Sequence, residues 1–342
     1  MTESIGTQTV EFDHSGTENP TALKLREVGD IFKRCVRDHG ISINPDENLC
    51  STRIFCSSIL PCERFDSYLD SPSFQKIEVI NHLTNIILRQ KPSGEIPASF
   101  QGNAPPSAKD ELKEQKSISC DNELWFILAV NKIILFNPEL GEKDLFLFSE
   151  AQALKYVESI LNNGLIVGSD WRENKDLKDK TLLSNCCLLK EVYNVLGEKD
   201  KAANVLNKLN EFWNGTYFDD YSGNHSFDVL GNSLAITFGI ATDVQTEMIF
   251  NHAMSLFTPY GIPSSPETIS PFISSNMLFA MASRGGWKWV EFAHRQFSNW
   301  SKLDAFHEFY STTTGKGTST PYHIGSASAY VNLYNFFQLM SE

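Results

Sequence analysis

The stretch Gly168-Ser169-Asp170-Trp171-Arg172-Glu173 puts an acid, an indole and a guanidinium side by side, between two amphipathic segments. A Trp stacks on apolar faces, including those of sugar rings. An Arg holds carboxylates or hydroxyls in a fixed fork. An Asp can move a proton once its surroundings shift its pKa. The same residues also have plain structural uses: an Asp ahead of a helix caps it, and a Trp beside an Arg forms a surface stack.

Three more patches carry side chains of the same kind. Tyr217-Phe218-Asp219-Asp220 precedes Phe227-Asp228-Val229-Leu230-Gly231-Asn232-Ser233, in which Asp228 and Asn232 lie one helical turn apart and can face one side. They could hold a sugar hydroxyl or order the loop, and Asp228 is equally suited to capping the helix that follows. Gly285-Gly286-Trp287-Lys288-Trp289 offers two indoles that could stack on sugar rings or fill a core. Phe306-His307-Glu308-Phe309-Tyr310 joins a second carboxylate to an imidazole and a phenol, ahead of Gly315-Lys316-Gly317 and Tyr322.

Composition narrows the chemistry. The net charge of -13 argues against nucleic acid, whose phosphates need a basic patch, and against anionic membrane surfaces. A neutral polar substrate is compatible with it. The seven Cys form no C-x-x-C pair, so a zinc ribbon or thioredoxin-type site is not expected; reduced thiols packed as small apolar groups fit a cytoplasmic protein. No cluster has useful metal-ligand spacing. Residues 1–20 are polar and acidic without an apolar signal segment, and no apolar run reaches the length of a membrane span.

Period-3.6 patterning sets the frame for these patches. Leu23 to Val36 reads as a first helix, Ser42 to Asp66 as a long loop, and Ser71 to Gln90 as a helix; Gly94 to Lys116 reads as an excursion rich in Pro and charge. From Cys120 onward helices recur over Asn122–Phe136, Ser149–Leu161, Lys180–Leu196, Asp200–Trp213, Phe227–Phe238, Val244–Leu256, Ser270–Met281, Trp287–Trp300 and Ser326–Met340. Short connections alternate with long ones at Gly164–Asp179, Asn214–Ser226 and Glu308–Tyr322. Roughly eleven helices without a fixed sequence repeat suggest an all-α (α/α)6 toroid over residues 21–342, behind a flexible segment 1–20, with the long loops forming a cleft at one end.

The order of the motifs resembles that of the inverting (α/α)6 glycoside hydrolases: trehalase, the processing and bacterial α-glucosidases, mannosylglycerate hydrolase, neutral invertase and the glucosidase domain of glycogen debranching enzymes. The matching elements are the Gly168–Glu173 loop, Leu182-Leu183-Ser184-Asn185, the Phe227–Ser233 helix start, Glu308-Phe309-Tyr310 with Gly315, and Ser326-Ala327-Ser328-Ala329. Gly94-Glu95-Ile96-Pro97 matches the family's Gly-x-Ile-Pro turn. The resemblance covers residues 45–340 and implies hydrolysis of an α-linked glycosidic bond with inversion. Asp170 would be the general acid and Glu308 the general base, about 6.5–9.5 Å apart. Arg53, Trp171, Arg172, Asp228, Asn232, Trp287, Trp289, His307 and Tyr310 would bind substrate, and no cofactor is called for. One position departs: where the family has an Arg-Asp pair in the sugar subsite, this chain has Arg53-Ile54. That leaves two alternatives open, a sugar-binding or regulatory ring without catalysis, and a sugar isomerase or epimerase using His225, His307 or His323.

Overall fold

The computed structural model describes residues 19–60, 75–103, 119–141 and 143–341. Among these are twelve α-helices: α1 Pro20–Cys35, α2 Thr52–Ile59, α3 Lys76–Ile87, α4 Asn122–Phe136, α5 Lys143–Ser159, α6 Leu183–Val195, α7 Lys199–Leu209, α8 Val229–Thr237, α9 Asp243–Leu256, α10 Pro271–Arg284, α11 Trp287–Trp300 and α12 Ile324–Ser341. The even-numbered helices form an inner ring. Each packs on the next, α2 on α4, α4 on α6, α6 on α8, α8 on α10 and α10 on α12, and α12 closes the circle against α2. The odd-numbered helices lie outside. The architecture is the all-α (α/α)6 toroid.

Side-chain patterning explains which helices are inside. In α8 every residue from Val229 to Ile236 is buried, and in α4 so is every residue from Asn122 to Val130. A helix without a polar stripe has to be surrounded on all sides. The outer α11 instead buries Trp289, Phe292, Ala293, Phe297 and Trp300, one face at three- and four-residue spacing, and leaves the other to solvent.

Because each outer helix returns the chain to its starting end, all six inner helices begin at one end of the ring, and short pairings seat the loops there. The β1–β2 hairpin (Val36–Arg37 with Gly40–Ile41) and the β5–β6 hairpin (Leu161–Asn162 with Leu165–Ile166) make local turns; β3 (Leu49–Ser51) pairs with β4 (Ser99–Gln101) ahead of α2. β7 (Thr268–Ile269) pairs antiparallel with β8 (Tyr310–Ser311) with Ile269 opposite Tyr310, which brings the Glu308 loop beside the start of α10. Cys120 N donates to Ser169 O (2.9 Å), setting the Gly168–Glu173 loop against the start of α4.

Two sequence expectations shift. The expected loop Ser42–Asp66 contains α2, an inner helix of eight residues too short for periodicity to reveal; Ser51 caps it, accepting from Ile54 N (3.4 Å). The expected flexible segment 1–20 lies almost wholly outside the described residues, as do the start of the Ser71–Gln90 helix and much of the Gly94–Lys116 excursion. Among the described residues no helix is long and apolar enough to cross a membrane.

Gly168 is the tightest point of the loop seating. Its φ is +151°, and a Cβ there would overlap Cys120 Sγ. Gly168→Ala should lower stability by about 1–3 kcal/mol, read as a drop in denaturation midpoint. Adding Cys120→Ala should recover part of that loss, whereas full additivity of the two losses would contradict the contact.

Candidate active site

A cleft opens where the inner helices begin. Arg53, Ile54 and Ser57 line it from α2, Ser270 and Phe272 from the start of α10, and His323 and Gly325 from the start of α12; Trp171, Glu308 and Phe309 come from the loops. Its enclosed part measures about 60 Å³. Of the residues expected from sequence, it gathers Arg53, Trp171 and Glu308.

Arg53 organises one wall. Its Nη1 donates to Ser119 Oγ (3.0 Å) and Asp121 Oδ1 (3.0 Å), and its Nη2 to Glu173 Oε1 (2.8 Å). Asp121 is buried, also accepts from Trp125 Nε1 (3.2 Å) and Ser119 Oγ, and has its carboxyl pushed up by burial against the pull of Arg53. Glu173 is different: half of its side chain faces solvent, and its backbone sits at φ +48°, an unusual conformation for Glu. The Glu308 carboxyl is raised by burial; Arg53 draws it down, and the charges of Glu173 and Glu47 push it up again. Glu308 and Glu173 are thus close enough to feel each other electrostatically, with Arg53 acting on both.

Two polar atoms of the cleft residues are buried without a protein partner, Trp171 Nε1 and His323 Nε2. His323 Nδ1 accepts from Ser326 N (3.3 Å), which leaves the proton of the neutral ring on Nε2. Burial lowers this imidazole to about 4, so it stays neutral. A donor left unmatched in a dry wall is costly, and both donors suit a ligand hydroxyl.

Asp170 lies behind the wall. Its side chain is 1% exposed and does not line the cleft. Oδ1 accepts from Arg172 Nε (2.8 Å) and Arg172 N (3.2 Å); Oδ2 accepts from Arg172 Nη2 (2.9 Å) and Ser184 Oγ (2.7 Å). The other side of the Arg172 fork holds Asp220, through Nη1 (2.7 Å) and Nη2 (2.8 Å). Arg172 is therefore a structural clamp between two loops, with its fork engaged on carboxylates instead of a substrate.

The remaining expected ligand residues do not line this cleft. Asp228 caps α8, accepting from Leu230 N (3.2 Å) and Gly231 N (2.9 Å). Asn232, fully buried, accepts from Phe218 N (3.0 Å) and donates to Phe218 O (2.9 Å), holding the preceding loop. Trp287 and Trp289 belong to the far end of the ring. α10 begins at the cleft and runs fourteen residues to Arg284, about 20 Å at 1.5 Å per residue, before the chain turns into α11. Trp287 is 78% exposed there, and Trp289 is core, donating from Nε1 to Glu247 Oε2 (2.6 Å). His307 turns into its own loop, with Nδ1 against Ser319 O (2.6 Å) and its ring packed on Gly317. Tyr310 is buried; its hydroxyl accepts from His307 N (3.0 Å) and donates to Asp304 O (3.0 Å). Glu173, which Arg53 holds beside the cleft, is a residue that sequence reasoning passed over, although it closes the very motif singled out. The signal was its place next to Arg172: a turn from Asp170 to Glu173, closed by Glu173 N to Asp170 O (2.9 Å), sends neighbours to opposite sides.

No family model matches the sequence, and no curated protein matches it. Solved structures do match in fold. A glycosidase covers 94% of this chain and 97% of its own at TM-score 0.69 and 11% identity. A glycosidase variant in complex with glucose gives TM-score 0.68 over the same shares, also at 11% identity. The mannosylglycerate hydrolase of Thermus thermophilus, in complex with Tris and D-glycerate, gives 0.64 at 9% identity, covering 91% of this chain and all of that one. This chain has the six-hairpin fold of those glycosidases.

The clamp has a pH signature. Three carboxylates, Asp170, Asp220 and Asp228, surround one guanidinium; burial raises Asp228 to about 7, Arg172 opposes this, and Asp220 and Asp170 add to it. In the unfolded chain the same carboxyl titrates near 4, so between those values the folded state holds the extra proton. Stability from this group is full below about pH 4, falls as pH rises towards 7 and is flat above. Asp228→Asn, which keeps a capping oxygen but no charge, should lose about 2–4 °C less in melting temperature between pH 5 and 8 than the parent chain. Equal losses in thermal melts at the two pH values would contradict the assignment.

Proposed function

We propose that this chain hydrolyses a glycosidic bond at the cleft, with inversion at the anomeric carbon. The observation that carries the reading is a cleft lined by Glu308 and Arg53, with Glu173 held by Arg53 beside it, whose mainly apolar walls suit a sugar face and which contains two unmatched buried donors. The likeness in fold to glycosidases supports it.

The reaction needs an acid for the leaving oxygen and a base for a water on the opposite face. Glu308 has the role of base, as its place in the Glu308-Phe309-Tyr310 element implies. The motif resemblance assigns the acid to Asp170. The hydrogen bonds around Asp170 favour Glu173 instead, because both Asp170 oxygens are held by Arg172 and Ser184 while Glu173, held through Oε1 by the cleft residue Arg53, is half exposed. Arg53 then keeps Glu173 oriented, while its charge favours the ionised form of that carboxyl and so opposes the acid role. Asp170 acts as a positioning residue for the loop. An α-linked substrate is the expectation from the resemblance.

The histidine-pair reaction of an isomerase lacks its pair: His323 lines the cleft, His307 faces its own loop, and His225 is exposed beside Asp219 (3.2 Å). Binding without cleavage remains the second reading, favoured by the engaged state of Asp170 and by Ile54.

A screen of aryl α-glycosides and disaccharides separates these readings. Glu308→Gln and Glu173→Gln should each cut kcat/KM by about 100-fold or more on natural-type leaving groups. On glycosyl fluorides, whose leaving group needs no proton, Glu173→Gln should recover most activity and lose the basic limb of the pH profile, while Glu308→Gln should stay inactive. If Asp170→Asn shows that rescue instead, Asp170 is the acid. Binding of a sugar without turnover of any substrate favours the second reading.

A further inference from the structure

A cavity larger than the cleft lies elsewhere in the ring. It lies on the ring axis beneath it, measures about 410 Å³ and is mainly apolar. Every inner helix contributes to its wall, as Ser57, Leu128, Val195, Leu234, Phe279 and Leu333 illustrate. It extends from the level of Trp125, in the first turn of α4, to Phe136 at the end of that helix, about 16 Å along the axis. Packed interiors rarely leave such a volume, because the lining atoms forgo dispersion contacts that neighbours would supply. The volume is in the range of ligand sites, about 300–1,000 Å³.

The cavity and the cleft share a partition. Ser57, Phe272 and Gly325 line both. At Gly325 the partition is bare backbone: a Cβ there would come within 2.9 Å of His323 Cε1 and 3.2 Å of Ile54 Cγ2. Ile54 thus stands at the junction, with an apolar side chain where the resembling enzymes carry a carboxylate. A carboxylate at that point would be stripped of water beside an apolar chamber, whereas Ile54 continues the chamber's surface.

We propose that the axial cavity takes the apolar part of a glycoside whose sugar occupies the cleft. The ligand class is a sugar bearing an alkyl or aryl group, as opposed to a free sugar or a hydrophilic oligosaccharide. This rests on the cleft reading above for the position of the sugar. Phe272, which lines both spaces, is part-buried and sits edge-on to Trp125 at 6.4 Å between centroids, so it is the side chain the apolar group has to pass. His323 Nε2 and Trp171 Nε1 remain on the cleft side for the hydroxyls.

Calorimetric titration with methyl and octyl α-D-glucopyranoside, the latter below its micelle-forming concentration, tests this directly. The octyl glycoside should bind at least ten-fold more tightly. That advantage should vanish in Ala329→Phe, which fills the cavity from α12 without altering a cleft side chain. Ser275→Leu, from α10, fills it from the neighbouring helix should the first variant not fold. Equal affinities, no binding of the octyl glycoside, or an octyl advantage that survives filling would overturn the proposal. Hydrolysis is measured separately: a tail preference without turnover removes the reaction and leaves the ligand class standing, and turnover without a tail preference does the reverse.

Discussion

One guanidinium holds the loop end of this ring together. Arg172 binds Asp170 with one side of its fork and Asp220 with the other, and Asp170 accepts a further bond from Ser184 at the start of α6. Two loops and a helix start are thereby fixed to one planar group. Charge-assisted bonds of this kind are strong and directional, and their loss inside a protein leaves uncompensated carboxylates. Because Asp170 and Arg172 are committed to the interior, their neighbours Trp171 and Glu173 are left to the cleft side. The clamp therefore decides which residues of the motif can meet a ligand.

Ring closure sets the second constraint. Inner helices surrounded on every side must run in one direction, since each outer helix carries the chain back. Their starts all face one end, where the residues that cap or precede them gather. Arg53, Asp121, Ser184, Asp228, Ser270 and His323 all sit at or next to such a start. That end becomes polar by construction, and the opposite end and the axis become apolar. The pairing of β7 with β8 adds Glu308 to the polar end without burying it completely.

Much of the architecture was legible in the sequence because inner and outer helices leave different marks: continuous apolar runs such as Asn122–Val130 for one, single stripes such as Trp289–Trp300 for the other. α2 was not, because eight residues make too few turns for a period to emerge. At the cleft, Arg53, Trp171 and Glu308 lie together, as their place in the ordered motifs led one to expect. Trp287 and Trp289 were misplaced because motif order says nothing about which end of the ring a loop occupies; counting helix direction along α10 would have excluded them. Asp170 and Arg172 turn away from the cleft for a different reason. Adjacent residues in a tight turn point apart, and a carboxylate beside a guanidinium tends to satisfy it first. Asp228 and Asn232 carried both readings, and their hydrogen bonds to Gly231 and Phe218 belong to the structural one.

The resulting account is of a cleft with a fixed cation, two carboxylates under its influence, a neutral histidine donor and an indole donor, above an apolar chamber. Its central claim is that a sugar belongs where those unmatched donors point. The most direct measurement is a crystal structure of Glu308→Gln with an uncleaved glycoside. The account predicts the sugar against Trp171 and Phe309, with His323 Nε2 and Trp171 Nε1 each donating to a hydroxyl. A sugar bound elsewhere on the ring, with both donors still unpartnered, would contradict it.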